Sequence, residues 1–199
     1  TLGQPLSAKR KTTAPKLVKE VEQQLNDLGF LQSRFDVEII DPRELGRVEP
    51  GVPRTGFDRI EFLFAPNPGE PFKPLKAIAS SGEMARVMLA LKTVLASQDS
   101  IPILVFDEVD SNIGGETAGV VGEKMKLIGA RRQVLCITHL APVAAAGHRH
   151  YLVSKEIVEG RTLTRVVQLD DTNRVEELTR MLGGGGEAAR EHAAELLNT

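Results

Sequence analysis

The stretch that most constrains this fold is residues 103–108, where four apolar residues lead directly into Asp107 and Glu108. Such a run predicts a strand buried on both faces, as in a parallel sheet covered by helices. The two acids then lie at the carboxyl edge of the sheet, where α/β folds bind ligands. Asp107 suits coordination of Mg²⁺, and Glu108 suits positioning a water for attack on a phosphate. For an acid pair standing alone, the alternative is an ordinary solvated strand end.

Composition sets broad limits on the class of protein. The 199 residues are 41% hydrophobic and 26% charged, which is enough for one or two globular domains. The net charge of −2 excludes a chain-wide nucleic-acid footprint, so any DNA contact would be local. A basic cluster near the start predicts a solvated helix face in preference to a binding patch. Its members are Lys9, Arg10, Lys11, Lys16 and Lys19.

The single cysteine and the lack of long apolar runs indicate a reducing, cytosolic setting. Cys136 cannot form an internal disulfide, and its apolar neighbours predict a buried thiol. No stretch approaches the roughly 18 to 20 apolar residues of a membrane span, and no signal peptide is visible. The chain begins with Thr1 rather than Met, so we expect a fragment or a processed product.

Hydrophobic periodicity predicts an α/β chain with a parallel component. A first helix is predicted over residues 7–28, because its apolar residues follow heptad spacing. The end of a coiled coil and an ordinary amphipathic helix both remain open for it. Further helices are predicted at 83–95, 116–128, 173–182 and 187–197, strands at 35–40, 57–64, 103–106 and 133–137, a loop at 41–56, a hairpin at 150–169 turning at 159–160, and a glycine turn at 183–186.

Residues 80–83, Ser-Ser-Gly-Glu, form a second motif immediately before a predicted helix. Small residues at a helix start leave N–H groups exposed at the positive end of the helix dipole. Ser80 could therefore help to bind a phosphate. An N-cap role for Ser80 or Ser81 is the alternative, and for this motif by itself it is the favoured one.

A third motif, Thr138-His139, follows the strand predicted at 133–137. A histidine there can reach the terminal phosphate of a nucleotide bound beside the neighbouring strand, although a lone histidine is more often structural. Asp110 lies in a loop of small and acidic residues after the acid pair. That loop can touch a partner subunit's active site, or it simply turns at the glycines 114–115.

In this order and spacing, the three motifs resemble the C-terminal half of an ABC-type (P-loop NTPase) ATPase head. Residues 80–83 resemble the signature motif, residues 103–108 resemble Walker B, Asp110 resembles the D-loop aspartate, and His139 resembles the switch histidine. Position 83 is glutamate, whereas transporters of this class typically carry glutamine. In this respect the motif resembles the SMC-like branch, which contains chromosome-structure and DNA-repair ATPases.

Two departures from that pattern matter. Ser81 replaces the first of two glycines usual in the signature, which would cost backbone freedom if the position needs positive φ. No lysine of the chain follows a glycine, so a Walker A sequence, Gly-x-x-x-x-Gly-Lys-[Ser/Thr], is missing.

In such heads Walker A lies in an N-terminal lobe, and a long coiled coil separates it from the C-terminal lobe. The resemblance implies that residues 1–30 end the coiled coil, that residues 31–199 form the C-terminal lobe, and that the isolated chain is inactive.

For the site, the resemblance implies that Asp107 holds Mg²⁺, Glu108 orients or deprotonates the attacking water, and His139 senses the γ-phosphate of ATP. The nucleotide-binding residues would be Ser80, Ser81, Gly82, Glu83 and Asp110, with Ser80 and Gly82 closing over ATP held by an opposing head.

For the complete protein, the resemblance implies ATP hydrolysis in DNA double-strand break repair and recombination. Its partners would be DNA, the Walker A lobe and a second head that sandwiches ATP, in the cytoplasm at the nucleoid and without a membrane. Three alternatives stay open: the lobe of another chromosome-structure protein, a mainly structural DNA- or protein-binding scaffold, and a transporter's ATP-binding subunit.

Overall fold

A computed structural model of the chain describes residues 3–46, 55–158 and 160–198. The chain forms two compact units, Thr1–Asp99 and Ser100–Thr199. The division falls inside the segment assigned to one lobe, and the predicted boundary at residue 30 remains a prediction. Residues 47–54 of the predicted loop and Glu159 of the predicted hairpin turn lie outside the described residues.

The first unit combines two helices with a three-stranded antiparallel sheet. Its elements are α1 (Gly3–Asp27), β1 (Arg34–Ile40), β2 (Arg59–Ala65), β3 (Lys73–Pro74) and α2 (Ser81–Val94), with 3-10 turns at Pro42–Leu45 and Leu75–Ala77. The strand order is β1-β2-β3, with Phe35 opposite Phe64. α1 packs against α2 and β1. The helices and long strands predicted in this region are confirmed, with ends shifted by a few residues.

The heptad stripe of α1 is buried most deeply near its C-terminal end. Val21, Leu25 and Leu28 are almost fully buried in the core of the first unit. The earlier stripe positions, Ala14 and Val18, are half-buried. The stripe therefore serves the unit's own core, and a coiled-coil role for residues before it remains a prediction. Among the described helices, none is long and apolar enough to cross a membrane.

Asp58 ties the start of α1 to the segment that leads into β2. Its Oδ1 accepts a hydrogen bond from the Ser7 hydroxyl at 2.6 Å, and its Oδ2 accepts one from Arg10 Nη1 at 2.9 Å. Arg10 also donates to the Thr55 carbonyl at 2.7 Å. Burial acts to raise the pKa of Asp58, but the hydrogen bonds from Ser7 and Arg10 outweigh it and lower that pKa.

The second unit contains one parallel and one antiparallel strand pair. Its elements are β4 (Ile103–Phe106), α3 (Gly115–Gly129), β5 (Gln133–Cys136), α4 (Ala141–Ala145), β6 (Tyr151–Val158), β7 (Arg161–Gln168), α5 (Asp171–Met181) and α6 (Glu187–Leu197). The strands β4 and β5 run parallel with α3 as their connection, and β6 pairs with β7 as a hairpin. The predicted α/β chain with a parallel component is confirmed.

The glycine run at 183–186 ends α5 as predicted. The Gly184 N–H donates to the Thr179 carbonyl at 2.9 Å, and the Gly183 N–H donates to the Arg180 carbonyl at 3.1 Å. This is the Schellman pattern of a helix C-terminus. It needs left-handed backbone after the helix, and Gly183 and Gly184 supply φ values of 102° and 76°.

The prediction that β4 is buried on both faces is wrong. Leu104 and Phe106 are buried, but Ile103 is 50% exposed and Val105 is 63% exposed. Alternate side chains of a strand point to opposite faces, and the described residues of the second unit cover only one of them. On β5, Leu135 is likewise 47% exposed. One face of this small parallel sheet is therefore apolar and exposed.

We expect Asp58→Asn to lower the free energy of unfolding by about 2 kcal/mol near neutral pH, because it removes the charge from the acceptor of the Ser7 and Arg10 hydrogen bonds. Since the folded pKa of Asp58 is lowered, its contribution is present above the unfolded pKa and is lost as pH falls through the folded value. Urea unfolding at neutral and acidic pH measures both effects.

The matched control is Glu20→Gln, which breaks the exposed Lys16–Glu20 ion pair on α1, the helix that also carries Arg10. Exposed pairs contribute about 0–1 kcal/mol, so this variant should unfold almost as the parent does. Equal losses in the two variants would contradict a special role for Asp58.

Candidate functional site

Residues 80–83 lie at the N-terminus of α2 in the first unit. Ser80 is the N-cap, with extended backbone, and its Oγ accepts the Glu83 N–H at 3.3 Å. The N-cap role is therefore confirmed for Ser80. Ser81 is the first helical residue, so serine in place of glycine causes no left-handed strain here. Gly82 is buried in the first turn. The motif thus combines a helix cap with the positive end of a helix dipole.

Asp107 and Glu108 follow β4 directly, and both are exposed. Glu108 has a φ of 57°, in the left-handed region that residues with a Cβ rarely adopt. Its carbonyl accepts the Ser111 N–H at 3.0 Å, which closes a turn after the strand. Left-handed backbone costs an L-residue roughly 1–2 kcal/mol. Strain of this kind clusters at functional sites, so it supports a functional role for the turn.

Asp110 lies in the same turn but points inward, and its side chain is only 2% exposed. Its Oδ2 accepts hydrogen bonds from the Thr138 hydroxyl at 2.5 Å and from the His139 N–H at 3.0 Å. The same oxygen lies 3.3 Å from His139 Nδ1. The carboxylate therefore joins the loop after β4 to the loop after β5.

His139 presents its imidazole at this edge with the side chain 71% exposed. Because Nδ1 faces Asp110, Nε2 is the nitrogen directed away from the carboxylate. From the sequence, Thr138 falls in one motif with His139, but a role was predicted for His139 alone. Its position directly before His139, at the end of a strand parallel to β4, is the signal that could have found it.

Parallel pairing brings these residues to one edge. Phe106 lies opposite Cys136, and the Ile137 N–H donates to the Phe106 carbonyl at 3.0 Å, one step beyond the strands. The predicted residues of the second unit therefore share the carboxyl edge of one sheet. They are Asp107, Glu108, Asp110 and His139.

Cys136 lies on β5, close enough to this edge for its acids to act on the thiol. Burial raises the pKa of the Cys136 thiol to about 12, with additional contributions from the negative charges of Asp110 and Asp107. The buried thiol expected from the sequence is half-buried in the structure. An edge whose acids disfavour a further negative charge favours a cation.

The carboxyl edge of the β4–β5 sheet, here called the acid edge because it carries Asp107, Glu108 and Asp110, fits a Mg²⁺ ion that is bound together with phosphate. Among the described residues, no three His, Cys, Asp or Glu side chains are grouped closely enough to hold a metal by themselves. Mg²⁺ commonly takes one or two carboxylates and completes its shell with waters and substrate phosphates. The exposed carboxylate of Asp107 at a ligand-binding edge meets that requirement.

A cavity of about 970 Å³ lies beside β5 in the second unit. It is lined by β5, by residues 148–153 and by side chains of α5, including Glu177 and Arg180. His150 lines it too, and its Nδ1 is buried without a hydrogen-bond partner. Burial lowers the pKa of His150, opposed by the charge of Glu177. Among the described strands of the small parallel sheet, β5 contributes lining residues to the cavity and β4 does not.

Solved structures with a similar fold are SMC ATPase heads. An Smc head domain with a coiled coil and joint from Pyrococcus yayanosii matches with a TM-score of 0.58 and 20% identity, over 82% of this chain and 28% of that chain. A chain described under ATP-driven dimerization and DNA-stimulated activation of SMC ATPases matches with a TM-score of 0.51 and 17% identity, over 90% of this chain and 98% of that one. The fold is therefore that of the C-terminal lobe of an ABC-type ATPase head, as predicted.

Within this class, the sequence relatives are DNA repair proteins named RecN. The RecN of Treponema pallidum is 45% identical over 197 residues, and that of Xylella fastidiosa strain 9a5c is 42% identical over 192 residues. These matches cover 98% and 96% of this chain, and 34% of each relative. The chain is homologous to RecN along nearly its whole length, and it spans about one third of the length of the curated relatives it matches. No family model matches it.

We expect Glu108→Gly to be more stable than Glu108→Ala by about 1 kcal/mol, because glycine adopts the left-handed backbone of this turn without a Cβ clash. The matched control is Glu123, which is exposed in the middle of α3. There the order should reverse, with glycine less stable than alanine by about 1 kcal/mol. Thermal and urea unfolding of the four variants give the comparison. The same order at both positions would contradict strain at Glu108.

Proposed function

We propose that this chain is the half of an ATPase head that carries the signature motif, the Walker B acids and the switch histidine. The complete protein would hydrolyse ATP in DNA double-strand break repair and recombination. The observation that carries the proposal is the acid edge, where Asp107 and Glu108 adjoin the Asp110–His139 contact. The RecN likeness supports the role in DNA repair, and the SMC-head fold supports the role in ATP hydrolysis.

In this proposal each residue of the edge has one role. Asp107 would hold Mg²⁺, which when bound neutralises charge that develops on the phosphates. Glu108 would orient or deprotonate the attacking water, and its exposure leaves the carboxylate accessible for that. His139 would contact the γ-phosphate through Nε2, because Nδ1 faces Asp110. Asp110 was predicted to bind the nucleotide, but its side chain is only 2% exposed, so in this proposal it would act on the nucleotide through His139.

The signature motif would act on a second nucleotide. Ser80, Ser81, Gly82 and Glu83 would close over ATP bound to an opposing head, with the N-terminus of α2 directed at phosphate. Two heads would thus sandwich two ATP molecules in a homodimer. Support comes from the composition of the helix start, where a short polar cap precedes the dipole of a 14-residue helix.

The partner of the exposed sheet face would be the Walker A lobe. Parallel sheets are normally covered on both faces, and two strands alone are marginally stable. Here Ile103, Val105, Leu135 and Ile137 leave one apolar face exposed, and residues of β5 line the cavity. We propose that the Walker A lobe covers this face. That lobe would supply the Gly-Lys pair of Walker A, which is missing from the sequence of this chain.

DNA binding is proposed for the complete protein, in the cytoplasm at the nucleoid. In this chain the exposed lysines of α1 are Lys9, Lys11, Lys16 and Lys19. Arg10 differs from them because its side chain is only 22% exposed and pairs with the buried carboxylate of Asp58, whereas the Lys16–Glu20 pair is exposed. This arrangement supports the solvated basic face expected from the sequence, and DNA contacts would be local to such faces.

The chain alone should show no ATP turnover, because it lacks a Walker A loop to cradle the phosphates. Turnover should appear when the chain is produced together with an N-terminal lobe that carries Gly-x-x-x-x-Gly-Lys-Ser. Phosphate release assays on both preparations test this. Turnover by the purified chain, or none in the reconstituted head, would contradict the proposal.

In the complete protein, Glu108→Gln should lower kcat by about 100-fold or more, because glutamine cannot accept a proton from water. ATP should still drive association of the heads, since the amide keeps the size of the carboxylate. Steady-state turnover and light scattering with ATP measure the two effects. Glu123→Gln, at an exposed position of α3, should leave both unchanged. Hydrolysis by Glu108→Gln at the parent rate would contradict the role of Glu108.

A further inference from the structure

We propose that Thr138 is a positioning residue that holds the switch histidine to the loop after the Walker B acids. The inference rests on the proposed function, since it assigns a task to Thr138 in ATP hydrolysis. Two hydrogen bonds orient the Thr138 hydroxyl. Its Oγ1 accepts the Leu140 N–H at 3.0 Å and lies 2.5 Å from Oδ2 of Asp110.

The proton of this hydroxyl points to the carboxylate. A hydroxyl has one proton to donate, and the Leu140 carbonyl is the other acceptor in reach, at 3.4 Å. The shorter contact to an ionised oxygen is the stronger hydrogen bond. Thr138 therefore donates to Asp110 while it accepts from Leu140, and a side chain without the hydroxyl can do neither.

Asp110 depends on these donors because it is buried. A buried carboxylate is costly unless hydrogen bonds compensate for the lost water. The Thr138 hydroxyl and the His139 N–H converge on one of its oxygens. Removal of the hydroxyl leaves that oxygen short of a donor, which favours an outward movement of the carboxylate toward water.

The consequence reaches both catalytic groups. Asp110 faces His139 Nδ1, so an outward carboxylate releases the imidazole from its present orientation. Asp110 also lies in the turn that the Glu108 carbonyl closes with the Ser111 N–H. Thr138 thus couples the residue proposed to contact the γ-phosphate with the residue proposed to orient the water.

The test compares Thr138→Val, which has the shape of threonine without the hydroxyl, with Thr138→Ser, which keeps the hydroxyl. In the complete protein we expect Thr138→Val to lower kcat about tenfold or more, with KM for ATP changed by less than about threefold, because the loss concerns orientation and not nucleotide binding. Thr138→Ser should restore kcat to within about threefold of the parent. Thr138→Ala serves as a second hydroxyl-free variant if Thr138→Val does not fold.

A second readout does not depend on catalysis. Hydrogen exchange of the complete protein, followed by mass spectrometry of a peptide that contains His139 and Leu140, reports the two N–H groups bonded to Asp110 and Thr138. Exchange should accelerate about tenfold or more in Thr138→Val and stay near the parent rate in Thr138→Ser. Thr93→Val is the matched control, because it removes a hydroxyl bonded to the Leu89 carbonyl in α2. It should leave kcat and this peptide unchanged.

The outcomes separate the two proposals. Parent-like exchange and kcat in Thr138→Val would overturn the positioning role, and so would a serine variant as impaired as the valine variant. An absence of ATP turnover in the parent complete protein would overturn the proposed function, whereas the exchange rates would still decide whether Thr138 holds His139.

Discussion

The parallel pairing of β4 with β5 is the constraint on which the candidate site depends. Two strands can run in the same direction only if the chain crosses back over the sheet, and α3 makes that crossover. Both strands therefore end at one edge, which brings Asp107 and Glu108 beside Thr138 and His139. An antiparallel pair would place the two loops at opposite edges. The site follows from chain direction before any side-chain contact is considered.

The three acids after β4 then divide into two kinds. Asp107 and Glu108 are exposed and can meet a ligand from solvent. Asp110 is buried, and the energetic penalty of its burial is offset by donors from the neighbouring loop. A buried carboxylate that needs a particular set of donors restricts where those donors can lie. The backbone position of His139 and the strained backbone of Glu108 are therefore parts of one compact arrangement.

Much of the fold was predictable from periodicity. The predicted helix at 116–128 and the strand at 133–137 are found within one residue at each end. The burial of β4 was predicted wrongly because a short, continuous apolar run shows that both faces avoid water, but not which part of the chain covers them. The expected loss of backbone freedom at Ser81 depended on a positive φ at that position. The sequence does not give that φ, and in the structure Ser81 is the first residue of α2, where no positive φ is needed.

The sequence by itself determined the chemical groups and their order: a capped helix start at residues 80–83, an apolar strand that ends in two acids, a threonine-histidine pair, and no glycine-lysine pair. These are properties of neighbouring residues and need no knowledge of packing. Tertiary structure decided that Asp110 turns inward and Asp107 does not, and that Thr138, 28 residues away, supplies a donor. No local pattern encodes that choice, because burial and hydrogen-bond partners are set by segments that meet only after the crossover is formed.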